Sequence, residues 1–121
     1  MPSSILVIDD DDAIREALRD TLELEGYTVV DMGSAAQALD YLRKHPRPFL
    51  ILLDWNMAPM DAPAFMRELE KEPHLGTIPV VLVTADARAE QKFTMARFVD
   101  FLMKPVKLDA LFAIIGRYTA L

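Results

Sequence analysis

Phe49-Leu50-Ile51-Leu52-Leu53-Asp54 is a run of five apolar residues without alternation, closed by a carboxylate. A strand with one wet face alternates, so an unbroken run reads as a central β-strand covered on both sides. Three more runs end in a polar or charged residue: residues 5–8 before Asp9-Asp10, residues 80–83 before Thr84, and residues 101–103 before Lys104-Pro105. Residues 27–32, a mixture of β-branched and aromatic side chains, add a further strand. If these strands run parallel, their carboxyl ends share one edge, which is where open α/β sheets bind ligands. Asp9, Asp10, Asp54, Thr84 and Lys104 would then converge.

The stretches between the strands change to a helical period. Ile14, Ala17, Leu18, Thr21 and Leu22 make one apolar face, with Gly26 as the stop. Ser34-Ala35-Ala36-Gln37 has the form of a capping box, followed by a core face of Ala35, Ala38, Leu39 and Leu42, and Pro46 and Pro48 end that helix. Residues 54–62 read as a loop, with Asp61 as N-cap of a short helix through Phe65, Met66 and Leu69 that Pro73 closes. Pro79 opens the next strand, where a missing N–H is tolerated. Residues 87–96 are helical by composition but weakly amphipathic, and Leu108, Leu111, Phe112 and Ile115 lie on one face of a last helix running nearly to Leu121. Strands alternating with helices give an α/β fold, and right-handed crossovers place helices on both faces of a five-stranded, doubly wound parallel sheet.

With 121 residues, the chain is long enough for one core and is expected to form one domain over residues 1–121. No apolar stretch approaches the roughly 18 residues that span a bilayer. Met1-Pro2-Ser3-Ser4 lacks the basic start of a secretory signal, and the absence of cysteine fits a reducing compartment, so a cytoplasmic location is expected. The net charge of −6 is opposite to a phosphate-backbone footprint, and no direct nucleic-acid contact is expected.

Two carboxylates about 5 Å apart repel by roughly 3 kcal/mol at an effective dielectric near 20, so gathering Asp9, Asp10 and Asp54 asks for a cation. Mg²⁺ is held by one or two carboxylates together with water and phosphate oxygens. Each residue also has a plainer explanation. An acidic run such as residues 9–12 favours a helix N-terminus, Thr84 suits an N-cap, and Lys104 alone reads as surface charge. Asp54 is harder to explain structurally, since an ionised carboxylate at the tip of a buried strand has no obvious packing use. A carboxylate there can act as a phosphoryl acceptor, with Thr84, Lys104 and Mg²⁺ sharing the charge on the transferred group.

Together these residues resemble the receiver domain of two-component response regulators, particularly the small chemotaxis-type single-domain members. The matching stretches are Ile5-Leu6-Val7-Ile8-Asp9-Asp10, Leu52-Leu53-Asp54-Trp55-Asn56-Met57, Val83-Thr84-Ala85 and Lys104-Pro105, in the family's order over essentially the whole chain. The resemblance implies a flavodoxin-like sheet of order 2-1-3-4-5 with five helices. It implies Asp54 as phosphoacceptor, Asp10 as direct Mg²⁺ ligand, Asp9 acting through water, and Asn56 offering its backbone carbonyl. Thr84 would bind a phosphoryl oxygen, Lys104 would pair with it, and Pro105 would follow a cis peptide bond. Phe101 matches the aromatic switch position that acts with Thr84. Pro59, Ala62, Arg97 and a short segment from 84 to 104 depart from the usual pattern.

The expected function is a phospho-accepting switch served by a histidine kinase or phosphotransfer protein, without turnover of an external substrate. Polar Asn56 and Asp86 beside the site predict fast loss of phosphate. The downstream partner is open, as is a homodimer through the face from helix 4 to helix 5, where Ile114 reads as exposed. One alternative is a haloacid-dehalogenase-like phosphohydrolase, disfavoured because residues 9–12 are followed by Ala13 where Thr or Val is wanted, and because there is no room for a substrate cap. The other is a receiver-like binding module that is never phosphorylated.

Overall fold

A computed structural model of the protein describes residues 4–94 and 96–119. Its elements alternate throughout: β1 (Ser4–Ile8), α1 (Asp12–Leu24), β2 (Thr28–Met32), α2 (Ala35–Lys44), β3 (Leu50–Asp54), α3 (Ala62–Glu70), β4 (Val80–Thr84), α4 (Ala89–Phe93), β5 (Asp100–Met103) and α5 (Leu108–Thr119). The five strands are parallel, in the order β2-β1-β3-β4-β5. This is the doubly wound, flavodoxin-like arrangement with five helices.

Strand parity splits the core in two. Leu6, Ile8, Ile51, Leu53, Val80 and Leu82 pack with α2 and α3. Their neighbours Ile5, Val7, Leu50, Leu52, Val81 and Val83 pack with α1 and α5. Every residue of β3 and β4 is buried. Coverage on both faces explains why the sequence there does not alternate.

The helix starts follow local chemistry. The side chains of Asp11, Ser34 and Asp61 accept from the N–H of Ile14, Gln37 and Ala64 respectively, each satisfying a donor that the first turn leaves free. Gly26, after α1, has φ 93, a left-handed conformation that glycine adopts at no steric cost.

The structure corrects several expectations. The helix predicted over 87–96 covers only Ala89–Phe93, and Met95 of that span lies outside the described residues. Its N-cap, Arg88, makes no side-chain cap bond, and Ala89 is its one buried residue, so neither end chemistry nor an apolar stripe extends it. Ile114, read as exposed, is buried with Leu111 and Ile115 on the inner face of α5. Leu108 sits in the open first turn of that helix at 53% exposure. Ala17 is exposed on α1. The last predicted residues, ending at Leu121, lie outside the described set. The central strand starts at Leu50 and takes in Asp54, so the carboxylate belongs to the strand itself.

Candidate functional site

The sheet register assembles the site. Ile8 pairs with Leu53, which brings Asp9, one residue on, beside Asp54. Thr84 pairs with Met103, so Lys104 emerges just past the β4 end, its N–H donating to the Thr84 carbonyl at 2.8 Å. Parity then decides the direction. Asp54 continues the side of Leu50 and Leu52, Asp9 that of Ile5 and Val7, and Lys104 that of Leu102, all facing α1 and α5. Lys104 Nζ accordingly donates to Asp9 Oδ2 and Asp54 Oδ1, at 3.1 Å each.

Asp9 and Asp54 are 2% and 3% exposed, and Asp10 is exposed at the rim. One carboxylate oxygen from each of the three lies within 4.8 Å of the others. Burial pushes the Asp54 carboxyl above its ordinary value and the Asp9 charge adds to the rise, while Lys104 and the Asn56 backbone N–H pull it part of the way back. Burial pulls the Lys104 ammonium down, but its bonds to Asp9 and Asp54 outweigh that and leave it raised. One ammonium therefore stands against three carboxylates. The excess negative charge, the short spacing and the all-oxygen donor set fit a hard divalent cation such as Mg²⁺.

The acidic run divides its work. Asp11 caps α1 and Asp12 lies in its first turn, which is the helix-dipole role, while Asp9 and Asp10 join the cluster. Each oxygen of Asp9 already has a protein donor, Oδ1 accepting from the Asp11 N–H at 2.9 Å and Oδ2 from Lys104. Thr84 is fully buried and does not cap a helix; its hydroxyl oxygen accepts from the Asp86 N–H at 3.1 Å, which leaves its own proton to donate. The Lys104–Pro105 peptide is cis, and so is Ala58–Pro59. Asn56 is exposed next to Asp54. Phe101 is half-buried, its ring 5.7 Å from that of Phe93.

Two groups around the site were not anticipated. Lys92 of α4 binds the Asp86 carboxylate at 2.9 Å and stands 4.7 Å over the Trp55 ring, tying the loops after β3 and β4 together. Arg88 and Lys92 hold the Asp86 carboxyl well below the usual carboxylate range. Nothing in the spacing of Trp55, Asp86 and Lys92 announces this. Arg15 of α1 reaches back to the Asp9 carbonyl at 2.9 Å. Its one legible sign is a second arginine, Arg19, four residues on, which gives α1 a basic flank.

Comparison with known proteins bears on this arrangement. The family model described as the response regulator receiver domain matches residues 5–116. The chain is 35% identical over 121 residues to the response regulator protein FleR of Pseudomonas aeruginosa, covering 98% of this chain and 25% of FleR. It is 28% identical over 120 residues to the polar-differentiation response regulator DivK of Brucella anthropi, covering 98% of this chain and 97% of DivK. The chain thus spans only a quarter of one relative and nearly the full length of the other. Among solved structures, the receiver domain of a signal transduction histidine kinase from Syntrophus aciditrophicus superimposes with TM-score 0.87 at 32% identity, covering 98% of this chain and 90% of that one.

Proposed function

The chain belongs to the response regulator receiver family of two-component signalling, and from that premise we propose that Asp54 accepts a phosphoryl group from a histidine kinase or phosphotransfer protein in a reaction that needs Mg²⁺. The observation that carries this reading is a buried strand-end carboxylate, Asp54, sharing a single ammonium with a second buried carboxylate, Asp9.

Asp54 and exposed Asp10 would ligate Mg²⁺ directly. Asp9, with both oxygens engaged by protein donors, would act through water, and Asn56 would contribute its backbone carbonyl. A bound divalent cation supplies positive charge beside the phosphoryl oxygens and offsets the repulsion among the carboxylates. An Asp54 oxygen attacks phosphorus in line, the new O–P bond forming as the P–N bond of a phosphohistidine donor breaks and the electron pair leaves with the imidazole. Lys104, already against Asp54, follows the charge onto the transferred group. The Thr84 hydroxyl donates its unused proton to a phosphoryl oxygen, and Phe101 turns with it against Phe93. The added charge of about −1.5 to −2 biases the loop after β4. The same residues serve hydrolysis of the acyl phosphate, so the protein acts as a cytoplasmic switch on its own phosphorylation and not on an external substrate.

Incubation with acetyl phosphate and Mg²⁺ followed by intact-mass measurement tests this. One phosphoryl adduct that disappears in Asp54→Asn is expected. No adduct, or one that persists in Asp54→Asn, overturns the reading.

A further inference from the structure

The loop that carries Asp9 and Asp10 is held from behind by one guanidinium. Arg15 Nη1 donates to the Asp9 carbonyl at 2.9 Å and lies 2.9 Å from Asp12 Oδ1, while Nε donates to Asp31 Oδ2 at 2.9 Å. The Arg15 side chain is only 15% exposed, and the hydrogen bond to Asp31 at the end of β2 raises its affinity for its proton. Gly33, just beyond β2, gives it room: a Cβ there would stand 3.1 Å from Arg15 Nη1. From the other side the Asp9 N–H donates to the Met32 carbonyl at 3.1 Å.

The Asp9 carbonyl belongs to the peptide plane that joins Asp9 to Asp10. Fixing that oxygen fixes the plane, and with it the place of the Asp10 Cα from which the side chain leaves. The planar guanidinium suits this task because its several donors point in set directions and span two loops at once.

We propose that Arg15, anchored by Asp31 and accommodated by Gly33, is a positioning residue that sets Asp9 and Asp10 for divalent-cation binding. This rests on the reading that Asp9, Asp10 and Asp54 bind Mg²⁺. Charge alone predicts the opposite sign, because a cation so near the carboxylates repels Mg²⁺ and its removal would tighten binding. The sign of the change therefore separates positioning from simple electrostatics.

Trp55 is the one tryptophan and directly follows Asp54, so its fluorescence reports Mg²⁺ titration of the full chain. Arg15→Ala is expected to raise the Mg²⁺ Kd about tenfold, in the range seen when a group orienting a metal ligand is lost. Arg15→Lys keeps the charge but not the fork, and is expected to weaken binding as well. Arg19→Ala removes the same charge from Asp31 without touching the Asp9 carbonyl, and should leave Kd unchanged or lowered. Gly33→Ala retains every charge, makes Arg15 Nη1 give way by a few tenths of an ångström and should raise Kd by less than Arg15→Ala does, which keeps the test open if Arg15→Ala fails to fold. Thermal unfolding in chelator is the stability control. Arg15→Lys and Gly33→Ala that bind Mg²⁺ as tightly as wild type, or Arg15→Ala that binds more tightly, overturn the proposal while wild-type binding stands. A wild-type protein that binds no Mg²⁺ overturns the underlying reading, and the proposal with it.

Discussion

The junctions β1–α1 and β4–α4 do the same geometric job, each leading from a strand end beside Asp54 into a helix, yet they are built to different standards. At the first, Asp11 caps a helix of 13 residues, Leu18 and Leu22 anchor it in the core, and Arg15 clamps the loop. At the second, α4 has five residues, no side-chain cap and one buried residue, and is tied down by Lys92 on Asp86 and Trp55 and by Phe93 on Phe101. The first junction beside the acidic cluster is tied by a cap, a buried helix face and a hydrogen bond to the loop. The second has one buried residue, Ala89, and the Phe93 ring against Phe101 besides its polar contacts, so a new charge at Asp54 has less packing to overcome there. A switch needs both, a rigid receiver and a segment whose alternatives lie close in energy.

The largest test of the rigid side is Lys104→Ala. It strips Asp9 and Asp54 of their shared ammonium, and since Lys104 is partly open to water the loss in metal-free protein should be about 2 kcal/mol, short of that for a fully buried pair. Saturating Mg²⁺ should recover much of it, as chemical denaturation with and without the ion would show. An equal loss in both conditions would mean that charge crowding is not what Lys104 relieves.

A subtler effect concerns pH. The Asp54 carboxyl is raised in the folded state, so between the ordinary carboxylate value and its raised one the native protein binds more protons than the unfolded chain. Stability is then fully present at lower pH and falls as pH rises through that window. Asp54→Asn removes this fall. Metal-free Asp54→Asn should melt above wild type at neutral pH, with the difference closing below the ordinary carboxylate range. A difference independent of pH would assign the effect to packing.

The smallest predicted effect contrasts the two helix starts directly. Asp11→Ala should cost about 1 kcal/mol through the lost cap. Arg88→Ala, at the uncapped start of α4, should cost clearly less than that. Equal losses would erase the contrast.

The same asymmetry decided what could be read in advance. Residues 5–8 and 49–54 announce buried strands because covered strands need unbroken apolar runs, and Asp61 and Ser34 announce helices because free N–H groups need an acceptor close in sequence. At α4 those signals are faint, and the predicted helix overran the real one. Ile114 was misread because α5 is apolar on more than one side, and periodicity alone does not say which side meets the sheet. The contacts of Arg15 and of Lys92 with Trp55 are not legible in the sequence because each joins a partner on another element.

By itself the sequence determined that parallel strands would alternate with helices and that Asp9, Asp10, Asp54, Thr84 and Lys104 would stand at strand ends, since apolar run length, period and capping are local properties of the chain. Tertiary structure decided which of them meet: that Lys104 bridges Asp9 and Asp54, that Asp11 and Asp12 serve the helix instead, and that Arg15 grips the loop between them. The Lys104–Asp9 contact joins residues 95 positions apart, and it exists only because strand register and parity bring their side chains to the same face of the sheet.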